Sequence, residues 1–198
     1  MKQPSVYSRS MIVDIAFELI REEGWDAVTT RAIAKKMGSS TMPIYSHVQS
    51  VEELKKELRV KARELQKSYQ QHPYTDHVLL NLAYGYVVFA RDEKNLFRFL
   101  YLETPDEINL ENGKGMREAF FMEFGEGSEE MKALLELKKS GQEDLIKHTW
   151  IFTHGLATLV NVGTFGSNSD QAIMQFLKNA GEAFYTWDMQ KEGGKDNG

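Results

Sequence analysis

The 198-residue chain contains no cysteine. That excludes a disulfide framework, a thiolate metal site and a cysteine nucleophile, and it suits a reducing compartment. The chain also lacks any run near the roughly 18 apolar residues that a membrane span requires. Met1–Ser10 is polar where a secretion signal would be apolar. A cytoplasmic protein without a membrane partner is therefore expected. Proline is scarce, with four residues, and alternating β-branched segments are missing. The long stretches between turn signals carry helix formers instead, which predicts an all-α fold.

Charge of one sign is lacking overall but not locally. The net charge of -5 argues at first against a nucleic-acid partner, because DNA affinity rests largely on Lys and Arg neutralising phosphates. Residues 1–70, however, hold 12 Lys and Arg against 9 Asp and Glu, whereas residues 71–198 hold 12 against 20. A mildly basic module attached to an acidic body fits this asymmetry, as do ordinary solvated faces of mixed charge.

What is present begins with a helix from about Ser10 to Glu23, in which Ile12, Ile15, Ala16, Leu19 and Ile20 recur at helical spacing and Gly24 is the stop. Thr29 is placed to cap a short second helix, Thr30–Met37, ended by Gly38. Ser40 is then expected to cap a third helix, Thr41–His47, with Pro43 in its first turn, where the missing N–H is harmless. Ser50, with Glu53 three residues on, reads as a capping box opening a longer helix that runs to about Gln70. Two short helices across a Gly-Ser-Ser turn, braced by a longer one, fit two readings. One is a helix-turn-helix whose second short helix enters the major groove; the other is a three-helix core packed for stability alone.

Thr29-Thr30-Arg31-Ala32-Ile33-Ala34, Gly38, Ile44-Tyr45-Ser46-His47-Val48, Ser50 and Glu52-Glu53-Leu54 together resemble the N-terminal domain of tetracycline-repressor-like (TetR) transcriptional regulators, over about residues 8–58. The resemblance implies a helix-turn-helix DNA-binding domain in residues 1–55 and a helical effector-binding and dimerisation domain in 56–190. Residues 191–198 are expected to form a disordered polar tail. The resemblance places Thr30, Arg31, Ser40, Thr41, Met42, Pro43, Tyr45 and His47 against DNA. Tyr45 and His47 suit phosphates, and Thr41 and Met42 suit base edges or a thymine methyl. Family members usually carry Lys where Val51 stands, so a phosphate contact is expected to be missing, with Lys55 or Lys56 as substitutes. The third helix has no Lys or Arg, which leaves bidentate reading of guanine unavailable from it.

The C-terminal part reads as helices at about 74–91, 94–102, 112–124, 129–139, 142–162 and 169–190. The resemblance implies that the last two form a homodimer contact, with Phe152, Gly155, Leu156, Leu159, Phe176, Leu177, Ala180 and Phe184 as the expected interface. Large side chains upstream fit either an ordinary core or a pocket for an unidentified, apolar small-molecule effector. Phe89, Phe97, Tyr101, Met116, Phe120, Phe121 and Trp150 are the candidate lining. Effector binding is expected to act on the first module through the helix ending near Gln70.

The histidine pairs His72/His77 and His148/His154 lack the spacing of a zinc helix, and the short Gly pairs at 113–115 and 125–127 lack a preceding strand and a phosphate-loop lysine. No catalytic residue, metal site or cofactor is predicted. The expected function is a transcriptional regulator, a repressor released from a palindromic double-stranded operator by its effector. The alternatives are a ligand-binding or interaction module with weakened DNA binding, and a helical enzyme.

Overall fold

A computed structural model of the chain describes residues 7–103, 110–166 and 169–193, without the side chains of 192 and 193. Among these residues there is no strand, and the all-α expectation holds. The helices are α1 (Arg9–Glu23), α2 (Thr30–Met37), α3 (Met42–His47), α4 (Val51–Gln70), α5 (Val78–Asp92), α6 (Lys94–Arg98), α7 (Gly113–Phe124), α8 (Glu129–Glu136), α9 (Lys139–Asn161) and α10 (Asp170–Gly193). A π-helical turn, Phe99–Glu103, continues α6.

The described residues fall into two compact units. One holds residues up to 67 together with 92–103, and the other holds 68–91 together with 110 onward. The division thus lies 12 residues beyond the expected boundary at 55, and α6 groups with the N-terminal unit. Side-chain chemistry explains that grouping. Arg21 on α1 holds the Glu93 carboxylate with two hydrogen bonds, 2.9 Å from Nε and 2.6 Å from Nη2. Trp25 stacks on Phe99 at 5.0 Å, and Arg59 on α4 donates to the backbone carbonyls of Phe99 and Leu100. Leu96, Phe97, Phe99 and Leu100 are fully buried.

Within the first unit, α1 buries Ile12, Ala16, Phe17, Leu19 and Ile20 against Ile33 and Ala34 of α2, Ile44 of α3, and Leu54 and Leu58 of α4. Phe17 completes this set beyond the residues the spacing picked out, while Ile15 is only half-buried. Ser8 rather than a later residue caps α1, accepting from the Met11 N–H. Thr29 caps α2 as expected, accepting from Ala32 N at 3.1 Å. Gly38 sits in the left-handed region at φ 65°, and its own N–H and that of Ser39 close back on the Lys35 and Ala34 carbonyls, a glycine C-cap.

The second unit packs α9 against α7, α8 and α10. Its helix limits depart from the sequence reading where polar side chains intervene. Helix α5 starts at Val78 rather than near Tyr74, because Asn81 ties the preceding turn, accepting from Thr75 N and donating to Thr75 O, each at 2.8 Å. Helix α8 stops at Glu136, since buried Gln142 donates to the carbonyls of Leu135 and Leu137 and satisfies the chain end. Helix α10 extends through Lys191, which pairs with Asp144 at 2.6 Å and covers the Trp187 ring, so the expected tail does not begin there. Residues 194–198 of that tail lie outside the described residues.

Candidate nucleic-acid interface and effector cavity

Helix α3 is anchored by one buried side chain, Ile44, which is 1% exposed; burial of such a side chain contributes about 1.5–3 kcal/mol. Everything else on its outer face is open. Met42 is 77% and Tyr45 67% exposed, and Ser40 and Ser46 are exposed too. Thr41, Pro43 and His47 are half-buried, as is Thr30, while Arg31 is exposed beside them in sequence on α2 and pairs with no acid among the described residues. The cap of α3 differs from expectation. Thr41, not Ser40, is the N-cap, and it makes no side-chain capping bond; the Thr41 carbonyl accepts from Ile44 and Tyr45, and Pro43 occupies the second helical position. Ser40 is left in the turn, where its carbonyl accepts from the Ser39 hydroxyl at 3.0 Å.

The C-terminal end of α3 is held by a residue that no local pattern singles out. Arg9 donates through Nη1 to the His47 carbonyl and through Nε to Glu57 at 2.9 Å, and lies 2.8 Å from Glu53. Hydrogen bonding to Glu57 raises the Arg9 pKa further, so the clamp stays charged. Ser50 caps α4 by accepting from Glu53 N at 3.1 Å, but the Glu53 carboxylate goes to Arg9, so only the serine half of the expected capping box forms. Only a contact across 38 and more residues reveals Arg9, which is why spacing misses it.

The cations near α3 are unequally placed. Lys55 has its ammonium 5.6 Å from the centre of the Trp25 ring and is half-buried. Lys56 is exposed, and Val51 is 59% exposed at the start of α4. Lys36 pairs with Glu22, and Lys35 is exposed. The surface around α3 therefore offers Arg31, Lys35 and Lys56 as accessible positive charge, with Lys55 engaged by an aromatic ring.

In the second unit a cavity of about 440 Å³ lies among Gln70 and the helices α5, α7, α8, α9 and α10. Of the expected lining residues, Phe120 and Trp150 border it. Phe89 and Phe121 are packed in core instead, Met116 is half-buried on α7, and Phe97 and Tyr101 belong to the first unit, where Tyr101 donates to Gln66 at 2.6 Å. The walls come largely from aliphatic residues at helical spacing, such as Leu79 with Ala83 on α5 and Leu145 on α9. That i, i+4 pattern was visible in the sequence; aromatic size pointed elsewhere.

Helices α9 and α10 of the same unit carry an open apolar face. Ile151, Gly155, Leu159 and Val162 are exposed along α9, and Phe176 and Trp187 along α10, with Leu159 at 48% and Phe176 at 51%. Phe152 and Phe184, half-buried, meet edge to face at 6.1 Å and join the two stripes; Ala180 is also half-buried. Leu156 and Leu177 instead turn inward to this chain's own core, and Leu177 borders the cavity. No Cβ added at Gly155 would meet another atom within 4 Å, so that glycine relieves no crowding within the chain.

Residues 12–58, which form the larger part of α1–α4, match the family model described as bacterial regulatory proteins, tetR family. Over those residues the chain is similar to the tetR family. Two curated relatives agree. An uncharacterized HTH-type transcriptional regulator of Bacillus subtilis, YobS, is 30% identical over 106 residues, covering 50% of this chain and 54% of that protein. An uncharacterized HTH-type transcriptional regulator of Mycobacterium tuberculosis is 36% identical over 59 residues, covering 30% of this chain and 27% of that one. The chain thus spans about half the length of the first relative and about a quarter of the second. The tetR match falls on the helices that present Arg31, Met42 and Tyr45.

Proposed function

We propose that the chain is a homodimeric, DNA-binding transcriptional regulator, a repressor whose hold on a palindromic operator falls when a small molecule occupies the cavity of the second unit. The observation that carries this is helix α3: a short helix pinned by Ile44 and by Arg9 at its end, with Met42 and Tyr45 facing outward. A helix held so firmly at one face while exposing large side chains on the other suits docking into a major groove. Thr41 and Met42 are assigned to base edges, Tyr45, His47 and Thr30 to phosphates, and Arg31 to a phosphate or flanking base. Ser40 and Pro43 border the contact, and Lys55 supports it only on leaving Trp25; Lys56 takes the phosphate role that Val51 cannot fill. The open face of α9 and α10 supports the dimer, since a second copy would cover the same stripes by two-fold symmetry and a palindromic site requires two readers.

Selection from a random DNA pool tests this reading. A palindrome should be enriched, its binding should weaken steeply with salt, and Tyr45→Ala and Arg31→Ala should each reduce affinity. An unenriched pool would leave an interaction module with weakened DNA binding, which the absence of Lys and Arg from α3 favours. Enrichment surviving both substitutions would keep the function and overturn the residue assignment.

A further inference from the structure

Threonines inside helices usually satisfy their hydroxyl on the carbonyl one turn back. Thr158 does so to His154 at 2.8 Å and Thr186 to Glu182 at 2.7 Å. Thr153, which lies ahead of both in the chain, on α9, and is only 6% exposed, does not. Its hydroxyl oxygen is buried and has no hydrogen-bond partner among the described residues. Yet Thr153 borders the cavity. A buried hydroxyl without a partner is a standing cost to the fold.

Several other polar groups on the cavity wall are already engaged, while Thr149, Trp150 and Tyr185 also border it. His77 and Glu130 bond each other at 2.9 Å, and the second oxygen of Glu130 accepts from Leu79 N at 2.8 Å. Gln70 donates to the Leu82 carbonyl, and the Tyr86 hydroxyl meets His154 at 2.8 Å. Lys178 faces Glu182 at 3.8 Å, both exposed. An incoming charged group would surrender its hydration without an uncommitted counter-charge to meet it. Largely hydrocarbon walls and a buried, unpartnered hydroxyl point to a different guest.

We propose that the cavity takes an uncharged, largely hydrocarbon molecule bearing a single hydrogen-bonding group, and that Thr153 is the residue that binds that group. Threonine occupies two χ1 wells in a helix, so its hydroxyl has two positions open to it. Rotation about χ1 gives the hydroxyl a way to meet the guest's group. A volume of about 440 Å³ suits a guest of two or three ring sizes, given that a dry cavity near 150 Å³ accepts benzene. The inference rests on reading the second unit as an effector domain.

The test titrates the full chain with three probes of one shape: 4-phenylphenol, biphenyl and biphenyl-4-carboxylate. Calorimetry should show the phenol binding about tenfold tighter than biphenyl, the value of one hydrogen bond, and the carboxylate weakest. Thr153→Val should erase the phenol's advantage and raise the melting temperature of the empty protein, because the orphaned oxygen is gone; Thr153→Ser should restore the advantage. Ala83→Phe, which fills the cavity, should abolish binding of all three while circular dichroism stays helical. The proposal is overturned by tightest binding of the carboxylate, by an unchanged phenol-to-biphenyl ratio in Thr153→Val, or by failure of all three to bind. Phenol binding that follows this pattern without altering operator affinity would support the site and sink the effector reading instead.

Discussion

The two units of the chain spend their apolar side chains differently. In the first, Ile12, Ile20, Ile33, Ile44 and Leu58 are all at 0 or 1% exposure, and the large apolar groups left open around α3 are Met42, Tyr45 and Val51. In the second, a cavity of about 440 Å³ coexists with an exposed stripe of Ile151, Leu159, Phe176 and Trp187. A filled core holds α3 in one position, which suits the DNA-reading role proposed for it. An unfilled core and an uncovered face leave apolar surface for the guest and the second copy proposed above. The contrast fits a rigid first unit as the proposed reader and an adaptable second unit as the proposed effector body.

The largest expected effect comes from charging the uncovered face. Leu159→Glu combined with Phe176→Glu places carboxylates at 48 and 51% exposed positions, so the isolated chain should keep its helix content. In a two-fold interface each substitution acts twice, and operator affinity should drop by at least about a hundredfold. Sedimentation should report the monomer mass. A dimer that persists with unchanged affinity would move the interface elsewhere and remove the reason for the open face.

A smaller effect separates crowded from open glycines in the second unit. A Cβ on Gly85 of α5 would stand 2.2 Å from the Tyr69 carbonyl oxygen and 2.6 Å from Gln70 Cα, both backbone atoms that cannot swing aside. Gly85→Ala should therefore cost about 1–3 kcal/mol in urea unfolding, despite alanine's better helix propensity. Gly155→Ala, with open space around it, should leave the monomer unharmed or slightly more stable. Equal effects at the two sites would contradict the close approach at Gly85.

The same contrast sets what was legible in the sequence. Helices α1, α2 and α4 follow from local signals: apolar spacing, the Thr29 and Ser50 caps, and Gly38, each acting within four residues. The readable parts of the candidate interface, Thr30 through His47, lie in that same short range. What stayed hidden depends on distant partners. Arg9 reaches His47 and Glu57, Arg21 reaches Glu93, and Arg59 reaches Phe99, so the grouping of α6 with the first unit has no local signature. In the cavity, large aromatics such as Phe89 went to core because they fill space well, and the walls fell to leucines whose spacing is indistinguishable from any buried helix face.

The smallest effect probes the polar side of the second unit through His154. Its ring stacks on Trp150 at 5.0 Å, nearly parallel at 6°, and burial lowers its pKa below the ordinary 6.5. A neutral ring fits the geometry, with Nδ1 accepting from the Tyr86 hydroxyl at 2.8 Å. Because the folded-state value lies below the unfolded one, the unfolded chain binds the proton first as pH falls. Stability is therefore retained above about pH 6.5 and declines as acid is added, until the folded ring also protonates. The slope for one proton approaches about 1.4 kcal/mol per pH unit. His154→Gln keeps an acceptor for Tyr86 but cannot titrate, so its melting temperature should change less between pH 7 and pH 5 than that of the parent, and subtraction removes the shared contribution of the other histidines. Parallel curves would mean that His154 is as free to charge in the fold as in the open chain, and that the wall beside Trp150 is wetter than the stacked ring implies.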